Sequence, residues 1–400
     1  MRTRSRRIAH WPLAPLACGI LLLSGCADFD GTPTAQDWKP APELTPQAGP
    51  QPELPGAEGT APGKKPGPSA PPTSVPPPQG CKDFDEAVIG TCLDTVAAVA
   101  ALPGGQTPAA LAGERKSGRV FQVTSGAEKE QYAELAVDST GGGGLTGLAL
   151  SPSFAEDQLV FAYVTTPTDN RVVRFAKGQQ PKPVLTGIPR GGSGNAGSLT
   201  SDGNGALLVA TGNAGNPAAS ADPNSLAGKV LRIDTSGQPA QGNPNPSSAV
   251  LASGLTSPGG LCKSPDGSRL WVTDRAADKD VLYRVTPGQA LTSPAWTWPD
   301  RPGVAGCVDG TSLIMVATST AGNMQNLPIA TDGSISGKPS VSLDGQNNSR
   351  TYGRLAGMEQ ISAELAVAGT VNKDGGEPVS SDDRVVLIVI QPSAAIPGKD

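Results

Sequence analysis

The sequence predicts an all-β chain built from a repeated unit, and three observations carry that prediction. An Asp-Gly turn recurs at Asp202-Gly203, Asp266-Gly267, Asp309-Gly310, Asp332-Gly333 and Asp344-Gly345, and Asp-Gly supplies the positive φ angles of a tight hairpin. Several of these turns lead into a short apolar run, as in LLVAT, RLWVTD and SLIMVAT, which reads as a buried strand. Composition agrees: 51 Gly and 40 Pro among 400 residues, with aromatics at 4%, suit a turn-rich β protein joined to an unstructured segment. Turn followed by buried strand, repeated at intervals of tens of residues, is the pattern of a β-propeller. Periodicity alone equally permits a pair of β-sandwiches.

Taken in order, the chain opens on a targeting element. Arg2, Arg4, Arg6 and Arg7 form a positive stretch, followed by an apolar one from Trp11 to Leu23. That stretch is interrupted by prolines and is too short to span a bilayer. Leu23-Ser24-Gly25-Cys26 is similar to the bacterial lipobox, in which the cysteine receives a diacylglycerol and becomes the mature N-terminus. Residues 1–25 are thus expected to be a lipoprotein signal peptide and Cys26 the lipidated residue. The protein would then sit on the extracytoplasmic face of the cell membrane. Two acyl chains, each CH₂ contributing ~0.8 kcal/mol, anchor stably where one does not.

Residues 26–80 are rich in Pro, Ala, Gly, Thr and Gln, as in PGKKPGPSAPPTSVPPPQG. Such a segment buries too little apolar surface to offset its ordering entropy, and reads as a disordered tether. Residues 81–400 would be the globular domain. From Cys81 to Leu102 the spacing of Ala87, Val88, Leu93, Val96, Ala97 and Ala100 fits the apolar face of a helix stopped by Pro103 and Gly104. Alternatively, Val96 to Leu102 is the first strand. Beyond Arg115 come short strands, clearest at Arg119–Thr124, Leu145–Leu150, Leu159–Thr165 and Arg171–Phe175. Farther on, Ala206–Thr211 and Lys229–Ile233 read as two strands around a long Gly/Asn/Pro loop. KVLRI alternates as a half-buried strand does, and a loop of that length is functional or clamped. Gly212-Asn213-Ala214-Gly215 within it is Gly-rich, but with no helix expected after it a phosphate cradle is not indicated.

A net charge of −5 spread over this length argues against nucleic acid as a partner. Of six cysteines, Cys18 leaves with the signal peptide and Cys26 is lipidated, leaving Cys81, Cys92, Cys262 and Cys307. An even number in an oxidising compartment implies disulfides. Three pairings are possible; nearness in sequence favours Cys81–Cys92, which leaves Cys262–Cys307 to link neighbouring repeats. The alternating Trp296 and Trp298 face one side of a strand. They read as a packing pair or, alternatively, as a sugar-stacking platform.

The loop and its second strand carry a resemblance. GNAGNP…ADPNSLAGKVLRID, ending at Asp234, is similar to TGDAGNP…QDPNSLLGKILRID of the soluble quinoprotein glucose/sorbosone dehydrogenase family. Further blocks follow in the family's order: GGGGLTGLALSPSFAEDQLVFAYVT, ASGLTSPGGLCKSPDGSRLWVTD and GTVNKDGGEPVSSDDRVVLIV. The resemblance implies a six-bladed β-propeller. It also implies a reaction in which pyrroloquinoline quinone (PQQ), held by Ca²⁺ and basic residues over the central channel, takes hydride from a sugar while a His removes its hydroxyl proton.

Residue by residue, the resemblance breaks at the centre. The family's HNGGRL is Gly194-Asn195-Ala196-Gly197-Ser198-Leu199 here, so Gly194 stands at the position of the base. The sole histidine of the chain is His10, in the signal peptide. Losing a general base typically costs about 10²–10⁴-fold in rate. GLRNPQG becomes GLTSPGG, with Thr256 and Ser257 for the Arg-Asn pair, and GRIRD becomes GRLAG, keeping Arg354 and placing Ala356 at the second arginine. TEHGP…GDE becomes Thr273-Asp274-Arg275-Ala276-Ala277 with Asp278 and Asp280. The carbonyls of Ala276 and Ala277 are the candidate Ca²⁺ ligands. Asp274, Asp278 and Asp280 read as solvated acids pairing with Arg275 and Lys279, or else as a cation site or substitute base. Arg275, Arg354 and Arg350 are candidates to receive an anion. The candidate pocket is therefore Asn195, Thr256, Ser257, Asp274, Arg275 and Arg354. The expectation is a binding or scaffolding lipoprotein of the envelope without cofactor. Its partners would be a sugar, a cell-wall glycan or an envelope protein. The alternatives are a PQQ-dependent aldose dehydrogenase with a substitute base and a cell-wall glycan binder.

Overall fold

The structure, a computed structural model, describes residues 75–346 and 350–390. The signal peptide, Cys26 and the linker as far as residue 74 lie outside the described residues. Within them, 24 strands form six four-stranded antiparallel sheets. The first blade is Val96–Ala101, Ala109–Glu114, Arg119–Thr124 and Glu130–Glu134, and the second is Leu145–Leu150, Val160–Thr165, Asn170–Phe175 and Lys182–Ile188. Gly197–Ser201, Leu207–Thr211, Lys229–Ile233 and Val250–Ser253 make the third; Pro258–Lys263, Leu270–Arg275, Asp280–Arg284 and Trp296–Trp298 make the fourth. The fifth is Val304–Asp309, Leu313–Thr318, Met324–Pro328 and Ser340–Ser342. The sixth is Leu355–Gln360, Leu365–Thr370 and Val385–Val389, closed on its outer side by the N-terminal strand Val88–Gly90. The first strand named for each blade is innermost and touches its counterparts in both neighbours, so the blades form a ring, a six-bladed β-propeller.

Apolar alternation explains the layers. Each of six hydrophobic clusters lies between two adjacent blades, such as Leu111, Leu145, Val160 and Phe175 between the first and second. Trp271, Trp298, Val304 and Val316 pack between the fourth and fifth. Each fully buried side chain of this size contributes ~1.5–3 kcal/mol, which makes the inter-blade seams the dominant stabilising layer.

The inner strands meet around the axis because each carries small residues near its start: Ala97-Ala98, Thr146-Gly147, Gly197-Ser198, Gly259-Gly260, Ala305-Gly306 and Ala356-Gly357. A Cβ on Gly306 would lie 2.4 Å from Met358 N, and one on Gly357 2.7 Å from the Ala97 carbonyl. Only glycine lets these backbones approach. Both disulfides form as nearness in sequence suggests. Cys81–Cys92 closes an 11-residue separation, and Cys262–Cys307 joins the inner strands of the fourth and fifth blades.

Three expectations are corrected. Residues 81–102 hold no helix: Val88–Gly90 and Val96–Ala101 are strands, the second being the alternative reading. Pairing with Val385–Val389 and Ala109–Glu114 outweighs helical spacing and the helix propensity of Ala and Leu. KVLRI is not half-buried at its first charge, since Lys229 is fully buried. Its Nζ donates to the carbonyls of Ala219 (2.8 Å), Ser220 (2.8 Å) and Ala227 (2.9 Å), clamping the 212–228 loop from beneath. Finally, a helix does follow Gly215: Pro217–Ala221, whose Asn216 cap accepts from Ala218 N. One turn with its cap amide already bonded still offers no phosphate cradle.

Candidate functional site

All six inner strands run in the same direction, so their starts define one mouth of the central channel and their ends the other. The starting mouth, to which the family resemblance assigns the chemistry, holds a cavity of ≈ 290 Å³. Its wall is small and neutral (Ala97, Thr146, Gly197, Gly259, Ala305, Ala356), while its rim carries Arg115, Arg275, Asp374, Ser139 and Ser319.

Arg115 leaves the end of the first blade's second strand and is anchored on three sides. Its Nη1 donates to the carbonyls of Ser139 (3.4 Å) and Gly143 (3.0 Å), and Nη2 to Asp374 Oδ2 (2.6 Å). Lys116 Nζ adds a second ion pair to Asp374 at 3.1 Å. Burial alone would push the Asp374 carboxyl up, but the bonds from Lys116 and Arg115 win and hold it below the ordinary carboxylate range. Arg275 differs: its Nε is buried and has no hydrogen-bond partner among the described residues. Burial, more than any neighbour, lowers its pKa, with Asp280 and Asp274 pulling the other way. An arginine facing a cavity with a donor unmatched is the mouth's uncommitted group, since a buried unpaired donor costs ~1–3 kcal/mol.

The remaining sequence candidates are placed elsewhere. Asn195 is fully buried: its Oδ1 accepts from Asn170 Nδ2 and Gly191 N, and its Nδ2 donates to the carbonyls of Gly141 and Gly191. It ties two blades together and is not part of the mouth cavity's lining. Asp274 and Asp280 are not solvated acids either, each being 1% exposed. Asp274 accepts from Thr256 N (2.9 Å) and Ser257 N (2.7 Å), and Asp280 from Gly303 N (2.6 Å) and Val304 N (3.0 Å). Both cap amides where an inner strand begins, groups that would otherwise be buried without acceptors. Burial raises Asp274 to about 6, against the amides that favour its ionised form. Only Asp278 is the exposed loop acid expected. Thr256 and Ser257 thus serve through their backbones. Arg354 stands behind the rim, its Nη1 donating to the Asp374 carbonyl (3.0 Å). Arg350 is paired with Asp85 at 2.6 Å in a groove between the fifth and sixth blades, away from the mouth. Trp296 and Trp298 sit edge to face, 6.5 Å between centroids, with Trp298 buried against the fifth blade through Gln325. They are packing residues.

Gly194 adopts φ +64°, and a Cβ there would lie 2.9 Å from Asn213 Oδ1. The backbone at the base's position is therefore shaped for glycine. Ala276 and Ala277 lie in the short turn between Arg275 and Asp280, which are themselves a strand pair. Among the described residues no group of three His, Cys, Asp or Glu could hold a metal ion. The side chains present do not fit the quinone chemistry that the resemblance implies. The base position is a glycine in a left-handed backbone, the nearby carboxylates are engaged by amides, and of the two rim arginines Arg115 is already committed to Asp374. Sequence reasoning missed Arg115 and Asp374, which are 259 residues apart and meet only when the ring closes.

Comparison with known proteins follows the same outline. The glucose/sorbosone dehydrogenase family profile matches residues 93–302. Among solved structures, the PQQ-bound aldose sugar dehydrogenase from Streptomyces coelicolor is 28% identical with a TM-score of 0.69, over 78% of this chain and 99% of that one. A protein from Thermus thermophilus, assigned as an oxidoreductase (glucose dehydrogenase), is 27% identical with a TM-score of 0.67, over 75% and 98%. The soluble aldose sugar dehydrogenase of Escherichia coli, at 17% identity and a TM-score of 0.63 over 75% and 98%, shares the fold. No curated protein sequence matches. With the profile spanning more than half of its length and the propeller intact, the chain belongs to the glucose/sorbosone dehydrogenase family.

Proposed function

We propose that this family member is a lipid-anchored, extracytoplasmic binding protein that keeps the dehydrogenase propeller and uses its channel mouth to hold a small anion rather than to oxidise a sugar. The observation that carries the reading is the pairing of Gly194, in a left-handed backbone where a Cβ would lie 2.9 Å from Asn213 Oδ1, with Arg275, which lines the mouth and whose buried Nε is unmatched among the described residues. Asp374 is the carboxylate on the rim, and its depressed pKa makes it a poor proton acceptor. Guanidinium suits carboxylate or phosphate because it offers donors in a fixed fork. The anchor at Cys26 and the Pro-rich tether would present the mouth to envelope solutes or to an envelope protein.

The full-length protein, incubated with Ca²⁺ and PQQ and then desalted, is expected to retain no quinone absorbance and to reduce no dye with aldoses. Retained quinone with turnover overturns the proposal in favour of a working dehydrogenase, the reading that the PQQ-bound neighbour supports. Calorimetry with gluconate as the probe is expected to show binding that Arg275→Ala weakens at least tenfold. Equal affinity in the variant removes Arg275 from the role.

A further inference from the structure

The opposite end of the channel holds a second, larger cavity of ≈ 380 Å³. Its floor, formed where the inner strands end, is lined by Leu148, Leu199, Leu261, Val308 and Met358, buried side chains that the cavity shares with the apolar seams between blades. Two charged side chains stand on that wall. Glu359, on the sixth blade, reaches to the first blade, where its Oε2 accepts from Ala101 N at 2.7 Å. Its Oε1 accepts nothing among the described residues. Lys263, at the end of the fourth blade's inner strand, lines the same cavity, and its Nζ, lying beside Gly203 of the third blade, makes no hydrogen bond or ion pair among the described residues. Its positive charge is felt at Glu359, yet the two form no ion pair. The neighbouring Asp309 is not available, being fixed by Arg269 (2.9 Å) and Trp271 Nε1 (2.8 Å).

A half-buried carboxyl and an ammonium that do not neutralise each other, set over an apolar floor, are matched by a ligand with the reverse arrangement. We infer that this second mouth binds a small zwitterion with an apolar side chain, of amino-acid or dipeptide size, its ammonium against Glu359 and its carboxylate toward Lys263. The cavity volume lies in the range of small-molecule sites, which are mostly apolar with a few placed polar groups. Burial, opposed by the Ala101 amide and the Lys263 charge, pushes the Glu359 carboxyl up to about 7. An arriving ammonium therefore shifts it toward the ionised form, favouring the charged pair.

The test is calorimetric titration of the full-length chain at about pH 7.5, above the Glu359 value, with L-leucine and the dipeptide Leu-Ala. The paired controls are leucinamide, which lacks the carboxylate, and 4-methylpentanoate, which lacks the ammonium. Leucine or the dipeptide is expected to bind at least tenfold more tightly than either control. Glu359→Gln should erase the advantage over 4-methylpentanoate, and Lys263→Met the advantage over leucinamide. Lys263 has no bonds to lose, so its variant keeps the inference testable if Glu359→Gln fails to fold. Equal binding of all probes would reduce the site to an apolar pocket and overturn the inference. Absence of binding at millimolar concentration, or variants with unchanged selectivity, would also overturn it. Because the Arg275 mouth lies at the other end of the channel, either site can fail without the other.

Discussion

Lys229→Met is the substitution that most directly examines how the mouth is held in shape. The ammonium bonds three carbonyls, those of Ala219, Ser220 and Ala227, and no carboxylate. The loop it secures supports the mouth in turn: Gly212 N donates to the Ala196 carbonyl, Ala214 N to that of Gly194 and Asn213 N to that of Thr256. Removing the amine leaves three acceptors unmatched, each worth roughly 1–3 kcal/mol when buried. Against that, methionine removes the desolvation penalty of a buried ion, several kcal/mol in practice. The balance is a loss of about 3 kcal/mol, equivalent to a fall of about 5 °C in Tm for a domain of this size. Thermal unfolding followed by circular dichroism reads it, and limited proteolysis should cut the variant first within residues 212–228. A variant as stable as the parent, with the loop equally resistant, would show that the carbonyl cage is incidental and that apolar packing alone fixes the loop.

Other outcomes follow from the same contacts. Replacing Cys262 and Cys307 together by alanine releases a link spanning 45 residues, for which chain entropy predicts a loss of about 4 kcal/mol. Guanidinium unfolding measures it, and a loss under about 1 kcal/mol refutes the ring-stitching role. Glu359, at about 7, and Asp274, at about 6, both titrate above their unfolded values of about 4. The folded state thus holds more protons between those limits, so their share of stability is present at low pH and lost as pH rises toward about 7. Over about pH 5–7, where ordinary carboxylates are already ionised, Tm should decline, and Glu359→Gln should flatten the upper part of that decline. A Tm that rises across the window, or an unchanged slope in the variant, contradicts both assignments. Finally, Gly194→His should not restore sugar oxidation. Its left-handed φ and the 2.9 Å approach to Asn213 should instead lower stability by about 1–2 kcal/mol on thermal melts.

The sequence discloses the propeller more readily than the mouth. Asp-Gly turns and apolar runs are local signals, and strands such as Arg119–Thr124 and Leu145–Leu150 stand where their residues place them. A further repeat was legible but subtler: a small pair before an apolar residue opens the inner strands, as in Thr146-Gly147-Leu148 and Ala356-Gly357-Met358. Asp274 and Asp280 misled because acids beside Arg and Lys look solvated. Their role depends on amides at the starts of two inner strands, which no spacing reveals. Arg115 with Asp374, and Glu359 facing Lys263, become neighbours only through closure of the ring. The departure at Gly194, by contrast, was visible at once, because a missing imidazole needs no geometry to notice.

The eleven-residue link between Cys81 and Cys92 encloses the short strand Val88–Gly90 that completes the last blade. A pull on the chain upstream of Cys81 therefore passes through sulfur to Cys92 and onward to Leu93 and Thr95. Beside the sixth blade's last strand, Cys92 N donates to the Ser381 carbonyl (2.8 Å), Leu93 N to the Asp383 carbonyl (3.0 Å) and Thr95 N to Asp383 Oδ2 (2.8 Å). The closing strand lies on the slack side of that path. For a domain held by its N-terminal end, tugging would spare the one seam on which the whole circle depends, and a reductant would be needed before traction could unzip it.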